Sequence, residues 1–209
     1  SMIFTPSNNE TVVSALCPGV NVFRWTVENG LCSDSDEVQV SENMFYTTAG
    51  FDQHVCDTIV TLQGQDPSHG YGYWSTPHPD ITIIDPTSNS PVVYGLQPLT
   101  AYTFRWTVYK NGCTAWDEVV IYNDLIHANA GGDQTVCVSN AILSAEQPIA
   151  GTGEWSISSG AGIVLDPTYF ASSVSGLGSG HNVLIWTVTN LTCVDADEVV
   201  ITNNTVTAT

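Results

Sequence analysis

Hydrophobic and polar residues alternate along three similar stretches of the chain, and each stretch predicts a pair of β-strands. In the second stretch, Phe104, Trp106 and Val108 alternate with polar residues. Another alternating run follows Cys113. Period-two alternation of aromatic and β-branched residues is typical of a strand with one buried face. The Asn-Gly turn between the two runs joins antiparallel strands well. Each stretch therefore predicts a β-hairpin whose apolar face needs a second sheet to cover it.

The hairpin belongs to a repeat with a period of about eighty residues. Its central tryptophan recurs as Trp25, Trp106 and Trp186, at intervals of 81 and 80 residues. Four other motifs recur between the second and third copies at an interval of 81 residues. A fixed period of this kind indicates a repeated structural unit. We interpret each copy as about seven short strands with turns between them, which predicts an all-β protein of tandem β-sandwiches.

The period divides the chain into three segments. Residues 1–43 hold the last strands of one copy without its first strands, whereas residues 44–124 and 125–209 each form a complete copy. The linkers at residues 41–43 and 123–125 are short, which favours a semi-rigid rod over a flexible string of domains. The incomplete first copy is expected to expose the apolar face that a second sheet covers in the other two.

Net charge restricts the partners more sharply than composition does. The chain of 209 residues has 3 basic and 21 acidic residues, which gives a formal net charge of −18. Such a chain should repel nucleic acid and anionic membranes, and it has no apolar run that predicts a membrane span. A hydrophobic content of 43% supports globular cores. The acidity is explained either by a solvated, repulsive surface or by a surface that attracts cations.

Cysteines occupy two equivalent positions in each complete copy: Cys56 and Cys113 in one, Cys137 and Cys193 in the other. An even, repeating set in a lysine-poor chain is typical of disulfides formed outside the cytoplasm. The repeat favours pairing within a copy, Cys56 with Cys113 and Cys137 with Cys193. Closing each loop of nearly sixty residues would then contribute roughly 4 kcal/mol. Metal binding is the alternative, although the spacing does not resemble clustered thiolate ligands.

Oxygen-bearing side chains near the two linkers make calcium the best specific ligand hypothesis. They are Glu42, Asn43 and Asp52 at the first linker, and Asn123, Asp124 and Asp133 at the second. Calcium takes six to eight oxygen ligands and would stiffen a junction while it relieves carboxylate repulsion. The sequence has no EF-hand pattern.

Three aromatic residues are specific to the second copy and are candidates for ligand binding. Tyr71 and Tyr73 flank a glycine in a loop that the third copy does not share, and Trp116 is replaced by Ser35 and Ala196 in the other copies. Exposed aromatic rings can stack on a sugar or form a patch for a protein partner. Ordinary packing against a loop is the alternative.

Two arginines are expected to form cross-strand ion pairs. Arg24 and Arg105 lie at outward positions beside the strands that carry Glu37 and Glu118. Such exposed pairs contribute roughly 0.2–1 kcal/mol each.

Catalysis has little support in the sequence. The five histidines lie at unrelated repeat positions, and the paired carboxylates recur in every copy, as structural residues do. The chain has no nucleophile elbow, phosphate loop or zinc motif. We therefore predict a protein that is not an enzyme.

Several motifs in fixed order resemble one family. They are Ala-Gly-x-Asp-Gln-x-Val-Cys at residues 49–56 and 130–137, Gly-x-Gly-x-Trp-Ser at 151–156, and Phe-Arg-Trp-Thr-Val followed by Asp-Glu-Val. This combination resembles the PKD-like, immunoglobulin-like repeats of very large surface adhesins of Bacteroidota, including gliding-motility adhesins. The resemblance covers nearly the whole chain and implies tandem immunoglobulin-like sandwiches, display on the outer cell surface and export by type IX secretion.

The resemblance implies a non-catalytic spacer or adhesive stalk without a cofactor, apart from the calcium considered above. Its expected partners are neighbouring repeats of the same long chain, together with surface glycans or other cell-surface proteins. Two alternatives stay open. One is a carbohydrate-binding module centred on residues 44–124, and the other is a set of accessory domains of a secreted enzyme.

Overall fold

The computed structural model describes residues 1–16, 19–42, 45–110 and 113–206, and these residues form strands, turns and loops. The N-terminal strands β1 to β4 span Met2–Ile3, Val13–Ser14, Gly19–Asn29 and Cys32–Glu42. We call β3 and β4 the N-terminal hairpin.

The second copy folds as a unit that we call module 2, and the third copy as module 3. The strands of module 2, β5 to β11, span Gln53–Val55, Ile59–Thr61, Tyr71–Ser75, Thr82–Ile84, Val92–Tyr94, Thr100–Lys110 and Cys113–Asn123. The strands of module 3, β12 to β18, span Gln134–Val136, Asn140–Ile142, Thr152–Ser159, Ile163–Val164, Ser173–Ser175, Gly180–Asn190 and Cys193–Asn203.

Each module is a sandwich of a four-stranded sheet and a three-stranded sheet. The strand order is β5-β11-β10-β7 over β6-β9-β8 in module 2, and β12-β18-β17-β14 over β13-β16-β15 in module 3. The first strand of each module runs parallel to the last, and all other neighbours are antiparallel. Seven strands in two sheets with this order form an immunoglobulin-like sandwich, which confirms the predicted fold class.

A pair of tryptophans forms the centre of each core. Trp74 and Trp106 are register partners on β7 and β10, with ring centroids 5.2 Å apart. Trp155 and Trp186 repeat the arrangement on β14 and β17, with centroids 5.1 Å apart. All four rings are at most 3% exposed. The buried residues form two clusters, one within each module, so each module carries its own core.

Two repeated aspartates fasten the first segment of each module to its last strand. Asp52 Oδ1 accepts the Val120 amide at 2.8 Å, and Asp133 Oδ1 accepts the Val200 amide at 2.9 Å. The aspartate of the Asp-Glu-Val motif completes the attachment in module 2, where Asp117 Oδ2 accepts a backbone amide at 2.9 Å. The recurring carboxylates of the motifs therefore have structural partners.

The corner before the long central strand differs between the modules. Tyr102, at the start of β10, accepts the backbone amide of Gln97 at its hydroxyl oxygen at 2.9 Å, as in the tyrosine corner of immunoglobulin-like domains. Its counterpart Asn182 is 1% exposed and accepts amides from Gly178 and Ala161 at its side-chain oxygen. Either side chain satisfies the backbone of the turn, as buried polar groups require.

The N-terminal hairpin presents the same side chains, and the two-residue strands β1 and β2, the other strands described in this segment, do not bury them. Trp25 is 42% exposed and Val38 is 59% exposed, whereas their counterparts Trp106 and Val119 are fully buried. The predicted exposure of an apolar face on the first copy is therefore confirmed. The hairpin keeps the register of the later copies across all eleven paired positions of each strand.

Both predicted cross-strand ion pairs are present. Arg24 Nη2 lies 2.6 Å from Glu37 Oε1, and Arg105 Nη2 lies 2.9 Å from Glu118 Oε1. In each hairpin the two residues are direct register partners. Their exposure keeps the contribution of each pair to stability small.

The tight space beneath the core tryptophans gives the first testable prediction. A Cβ atom at Gly153 would lie 2.0 Å from the Trp186 ring, whereas a Cβ atom at Gly132 would meet nothing within 4 Å. Gly153→Ala should therefore lower the free energy of unfolding of module 3 by about 1–3 kcal/mol or more. Urea denaturation followed by tryptophan fluorescence measures the change. Gly132→Ala is the matched control, and equal stability of the two variants would contradict this account of the core.

Candidate functional site: the junction between the modules and an aromatic face

The position of Cys56 is fixed by the parallel pairing of the first and last strands of module 2. β5 lies beside the end of β11, where Val55 pairs with Asn123. Asp124, which follows β11, donates its amide to Val55 O at 2.8 Å. Cys56 comes next in the chain, so its side chain lies at the end of module 2 from which the chain leaves for module 3.

Cys193 lies at the hairpin end of module 3, where its last strand begins rather than where it ends. It begins β18 and pairs with Asn190 at the turn of the β17–β18 hairpin. This hairpin end is the part of module 3 that meets module 2. Cys56 and Cys193 form a disulfide with a Cα–Cα distance of 5.5 Å and a sequence separation of 137. The distance lies in the range that a disulfide requires.

The predicted pairing of cysteines within a copy is therefore wrong. Cys56 bonds to Cys193 of the next module, while Cys113 and Cys137 are free thiols. The reason is the length of the last strand, whose 11 residues separate Cys113 from the end beside Cys56. At ~3.3 Å per residue this separation is about 33 Å, several times the Cα–Cα distance that a disulfide spans. The same strand length separates Cys137 from Cys193 in module 3.

The linker adds short polar contacts to the covalent bond. Asn190 donates its side-chain amide to Asp124 O at 3.0 Å, which ties the hairpin of module 3 to the end of module 2. Asp195 Oδ2 accepts the Ala128 amide at 2.7 Å and lies 3.1 Å from His127 Nδ1. Both ends of the linker are thus held by the hairpin that carries Cys193.

Apolar side chains of both modules line a cleft beside the junction. An open cleft of about 490 Å³ runs beside the disulfide and is lined by Leu99, Leu125, Ile149 and Val194, among other residues. Ile149 is 88% exposed and Val194 is 64% exposed, so apolar side chains of the two modules line the cleft without closing on each other. The disulfide is the covalent constraint on how the modules are joined.

The four principal calcium candidates all accept hydrogen bonds from the protein. Asp52 and Asp133 hold strand amides, as described above, and Asn123 Oδ1 accepts the Leu125 amide at 3.0 Å. Asp124 Oδ2 lies 2.6 Å from His54 Nδ1. Among the described residues, no group of three or more His, Cys, Asp or Glu is placed to hold a metal ion. Calcium stays a prediction, and the ion would compete with these bonds.

The first linker also supplies the calcium candidates Glu42 and Asn43. Asn43 lies outside the described residues, and Glu42 ends β4 of the N-terminal hairpin.

The three candidate aromatic residues all lie on the outer face of the four-stranded sheet of module 2. Tyr73 and Trp116 are both register partners of Thr107, on either side of the central strand β10. Tyr71 pairs with Tyr109 one step along the same face. Tyr71 is 66% exposed, Tyr73 is 38% exposed and Trp116 is 56% exposed.

Tyr109 joins the two tyrosines into one stacked group that the sequence analysis missed. Its ring stacks on Tyr71 with centroids 5.0 Å apart and on Tyr73 with centroids 6.1 Å apart. A hydrogen bond with Tyr73 is the main factor that raises the pKa of Tyr109 above its usual value, and the charges of Tyr73 and Tyr71 add to it. The sequence pattern could have predicted the position of Tyr109, because Tyr109 continues the outward alternation of Arg105 and Thr107.

Trp116 forms a second part of this surface. The Arg105 guanidinium lies 4.2 Å from the centre of the Trp116 ring, while it also pairs with Glu118. A cation over an aromatic face holds the ring in place. We call Tyr71, Tyr73, Tyr109 and Trp116 the aromatic face.

Module 3 has no equivalent of the aromatic face. The counterparts of Tyr71, Tyr73, Tyr109 and Trp116 are Thr152, Glu154, Thr189 and Ala196. The surface is therefore a property of module 2 rather than of the repeat.

Comparisons with known proteins add little to this description. No protein-family model and no curated protein sequence matches the chain. Solved structures with a similar arrangement include the insect immune protein hemolin, at 12% identity and a TM-score of 0.45, over 88% of this chain and 56% of that chain. Extracellular domains 3–5 of Drosophila OTK match at 7% identity and a TM-score of 0.40, over 87% of this chain and 69% of that chain.

An I-band fragment of titin matches at 9% identity and a TM-score of 0.38, over 88% of this chain and 75% of that chain. The present chain thus spans little more than half the length of the hemolin chain. At these identities and TM-scores the likeness carries no argument about function. Within the described residues there is also no helix with the length and apolar character that a membrane span needs.

Proposed function

We propose that the chain is a non-catalytic segment of a secreted cell-surface adhesin, in which tandem modules act as a rod-like spacer or stalk. The observation that carries the proposal is the disulfide between Cys56 of module 2 and Cys193 of module 3. A bond between neighbouring domains constrains their relative position. A spacer needs such a constraint, whereas the core of an enzyme domain does not. The sequence motifs support the same conclusion through their resemblance to repeats of Bacteroidota adhesins, including gliding adhesins exported by type IX secretion.

The disulfide changes the path along which tension passes through the chain. When the two ends are pulled, force passes along the backbone to Cys56, across the disulfide to Cys193, and on towards the C-terminal end. Cys56 and Cys193 are 137 positions apart, so nearly all of both modules lies between them. The segment between them therefore cannot be drawn out while the bond is intact. Module 2 and module 3 are protected as a pair by one covalent link.

Charge and redox chemistry fit a protein that works outside the cytoplasm. Disulfides persist in oxidising compartments and are rare where glutathione keeps thiols reduced. A formal net charge of −18 makes the acidic surfaces along the chain repel one another. Repulsion of this kind favours an extended and soluble stalk.

Single-molecule stretching of the full chain tests the proposed load path. Pulled from its ends without reductant, the chain should stop extending well short of its full contour length. Adding dithiothreitol should release the segment between Cys56 and Cys193, whose sequence separation is 137. At 3.3–3.6 Å per residue, this segment adds roughly 450–490 Å of contour length.

Two cysteine variants complete the stretching experiment. Cys56→Ser should give the long extension without reductant, because it removes the bond. Cys137→Ser should behave like the parent chain, because Cys137 is a free thiol. An extension that is the same with and without reductant would contradict the proposal.

The aromatic face supports a second candidate function, which is binding of a carbohydrate. The exposed rings of Tyr71 and Trp116 lie on an open sheet face, where a sugar ring can stack on them without displacing a loop. Of the two modules described, module 2 has this face and module 3 does not, so binding within this chain would be confined to module 2. A stalk that also binds glycans would contribute directly to attachment.

Glycan-array binding tests this second function. The parent chain should give a signal that the double variant Tyr71→Ala, Trp116→Ala loses. Tyr94→Ala is the matched control, because Tyr94 is 44% exposed on the other sheet of the same module. A parent chain without signal, or equal loss in the control, would exclude the aromatic face as a glycan site.

A further inference from the structure

Cys137 occupies in module 3 the position that Cys56 occupies in module 2. Val136 pairs with the last residue of β18 in the same parallel register that Val55 makes with the last residue of β11. Asn204, which follows β18, donates its amide to Val136 O at 2.8 Å. Its counterpart Asp124, which follows β11, donates its amide to Val55 O at 2.8 Å. Cys137 is exposed and free. At the end where its last strand stops, module 3 therefore has the same arrangement through which Cys56 of module 2 bonds to the next module.

Cys113 supplies the other half of such a junction. It begins β11 and pairs with Lys110, as Cys193 begins β18 and pairs with Asn190. Cys113 is a free, partly buried thiol. The hairpin end of module 2 therefore presents the same cysteine that module 3 uses to reach Cys56.

The polar contact of the formed junction also has counterparts at the two unused ends. Asn190 donates its side-chain amide to Asp124 O in the formed junction. Lys110, the only lysine of the chain, takes the place of Asn190 and is likewise a donor. Asn204 takes the place of Asp124, since both donate their amides to equivalent carbonyls. The hairpin end of module 2 therefore offers a side-chain donor at this position, and the acceptor is a backbone carbonyl at either end.

Apolar exposure indicates that the Cys137 end of module 3 is an interaction surface. Val138, next to Cys137, is an apolar residue that is 53% exposed. A module of the same repeat is the partner that reproduces the formed arrangement.

We propose that the Cys137 end of module 3 binds the hairpin end of another module of this repeat, and that a disulfide then joins Cys137 to the hairpin cysteine of that module. A second copy of this chain supplies such a hairpin through its Cys113. The inference rests on the proposed spacer function, because the Cys56–Cys193 junction is its template. Two thiols lose two protons and two electrons in the step, and a disulfide such as oxidised glutathione accepts them and becomes two thiols.

The test uses the full chain with the substitutions Cys17→Ser and Cys32→Ser, which remove the two other cysteines of the sequence. Cys17 lies outside the described residues, and Cys32 is exposed and free on the N-terminal hairpin. One preparation also carries Cys113→Ser and therefore offers only Cys137. The other carries Cys137→Ser and offers only Cys113. Each is incubated with oxidised and reduced glutathione, alone and as an equal mixture, and is separated on a non-reducing gel.

The expected result is a disulfide-linked dimer in the mixture, at roughly tenfold or more the amount in either preparation alone, because docking raises the effective concentration of the matched thiols. Equal amounts of dimer in all three samples would indicate unspecific oxidation and overturn the inference. No dimer in the mixture would overturn it as well.

A thiol titration in denaturant separates this inference from the proposed function. The monomer with only Cys17→Ser and Cys32→Ser keeps the cysteines 56, 113, 137 and 193, so it should contain two free thiols when the Cys56–Cys193 bond is formed. With two thiols and no dimer in the mixture, only the further inference fails. With four thiols or with none, the template junction is absent and both proposals fail.

Discussion

The length of one strand determines how this protein is joined together. The last strand of module 2 runs from Cys113 to Asn123, beside which Val55 and then Cys56 lie. Eleven residues in extended conformation separate the two cysteines by about 33 Å, so no bond can form between them. Each module consequently carries one cysteine at each end, and a cysteine at an end can reach only a neighbouring module. The covalent link between modules follows from strand geometry together with the parallel pairing of the first strand.

Because the bridge joins modules, each core must be stable through its own packing. The tryptophan pairs provide this packing in both modules, and glycines beneath the rings allow the strands to approach. The N-terminal hairpin illustrates the alternative, since the same tryptophan position is 42% exposed where no second sheet covers it. The sandwich and the bridge therefore have separate tasks. The first gives each module its fold, and the second fixes one module to the next.

Much of the fold was predictable because alternation and period are local signals. The spacing of Trp25, Trp106 and Trp186 predicted the repeat, and the runs around them predicted the hairpins that the structure contains. Disulfide pairing was not predictable in this way, because the repeat favoured bonds within a copy and does not show that the two cysteines of a copy lie at opposite ends of the folded module. The deciding fact is the parallel pairing of β5 with the end of β11, which is a long-range contact. The linker contact of Asp195 was hidden for a related reason, since its counterpart in module 2 is Ala115 although the first copy has Asp34 there.

A junction held by one disulfide, few hydrogen bonds and an open cleft suits a chain that has to transmit tension without losing its domains. The central claim of this account is that Cys56 and Cys193 are bonded in the native protein. Peptide mapping by mass spectrometry, after digestion without reduction and with free thiols blocked, tests it most directly. The account predicts a linked peptide pair that contains Cys56 and Cys193, together with blocked Cys113 and Cys137. Linked pairs of Cys56 with Cys113 and of Cys137 with Cys193 would contradict it.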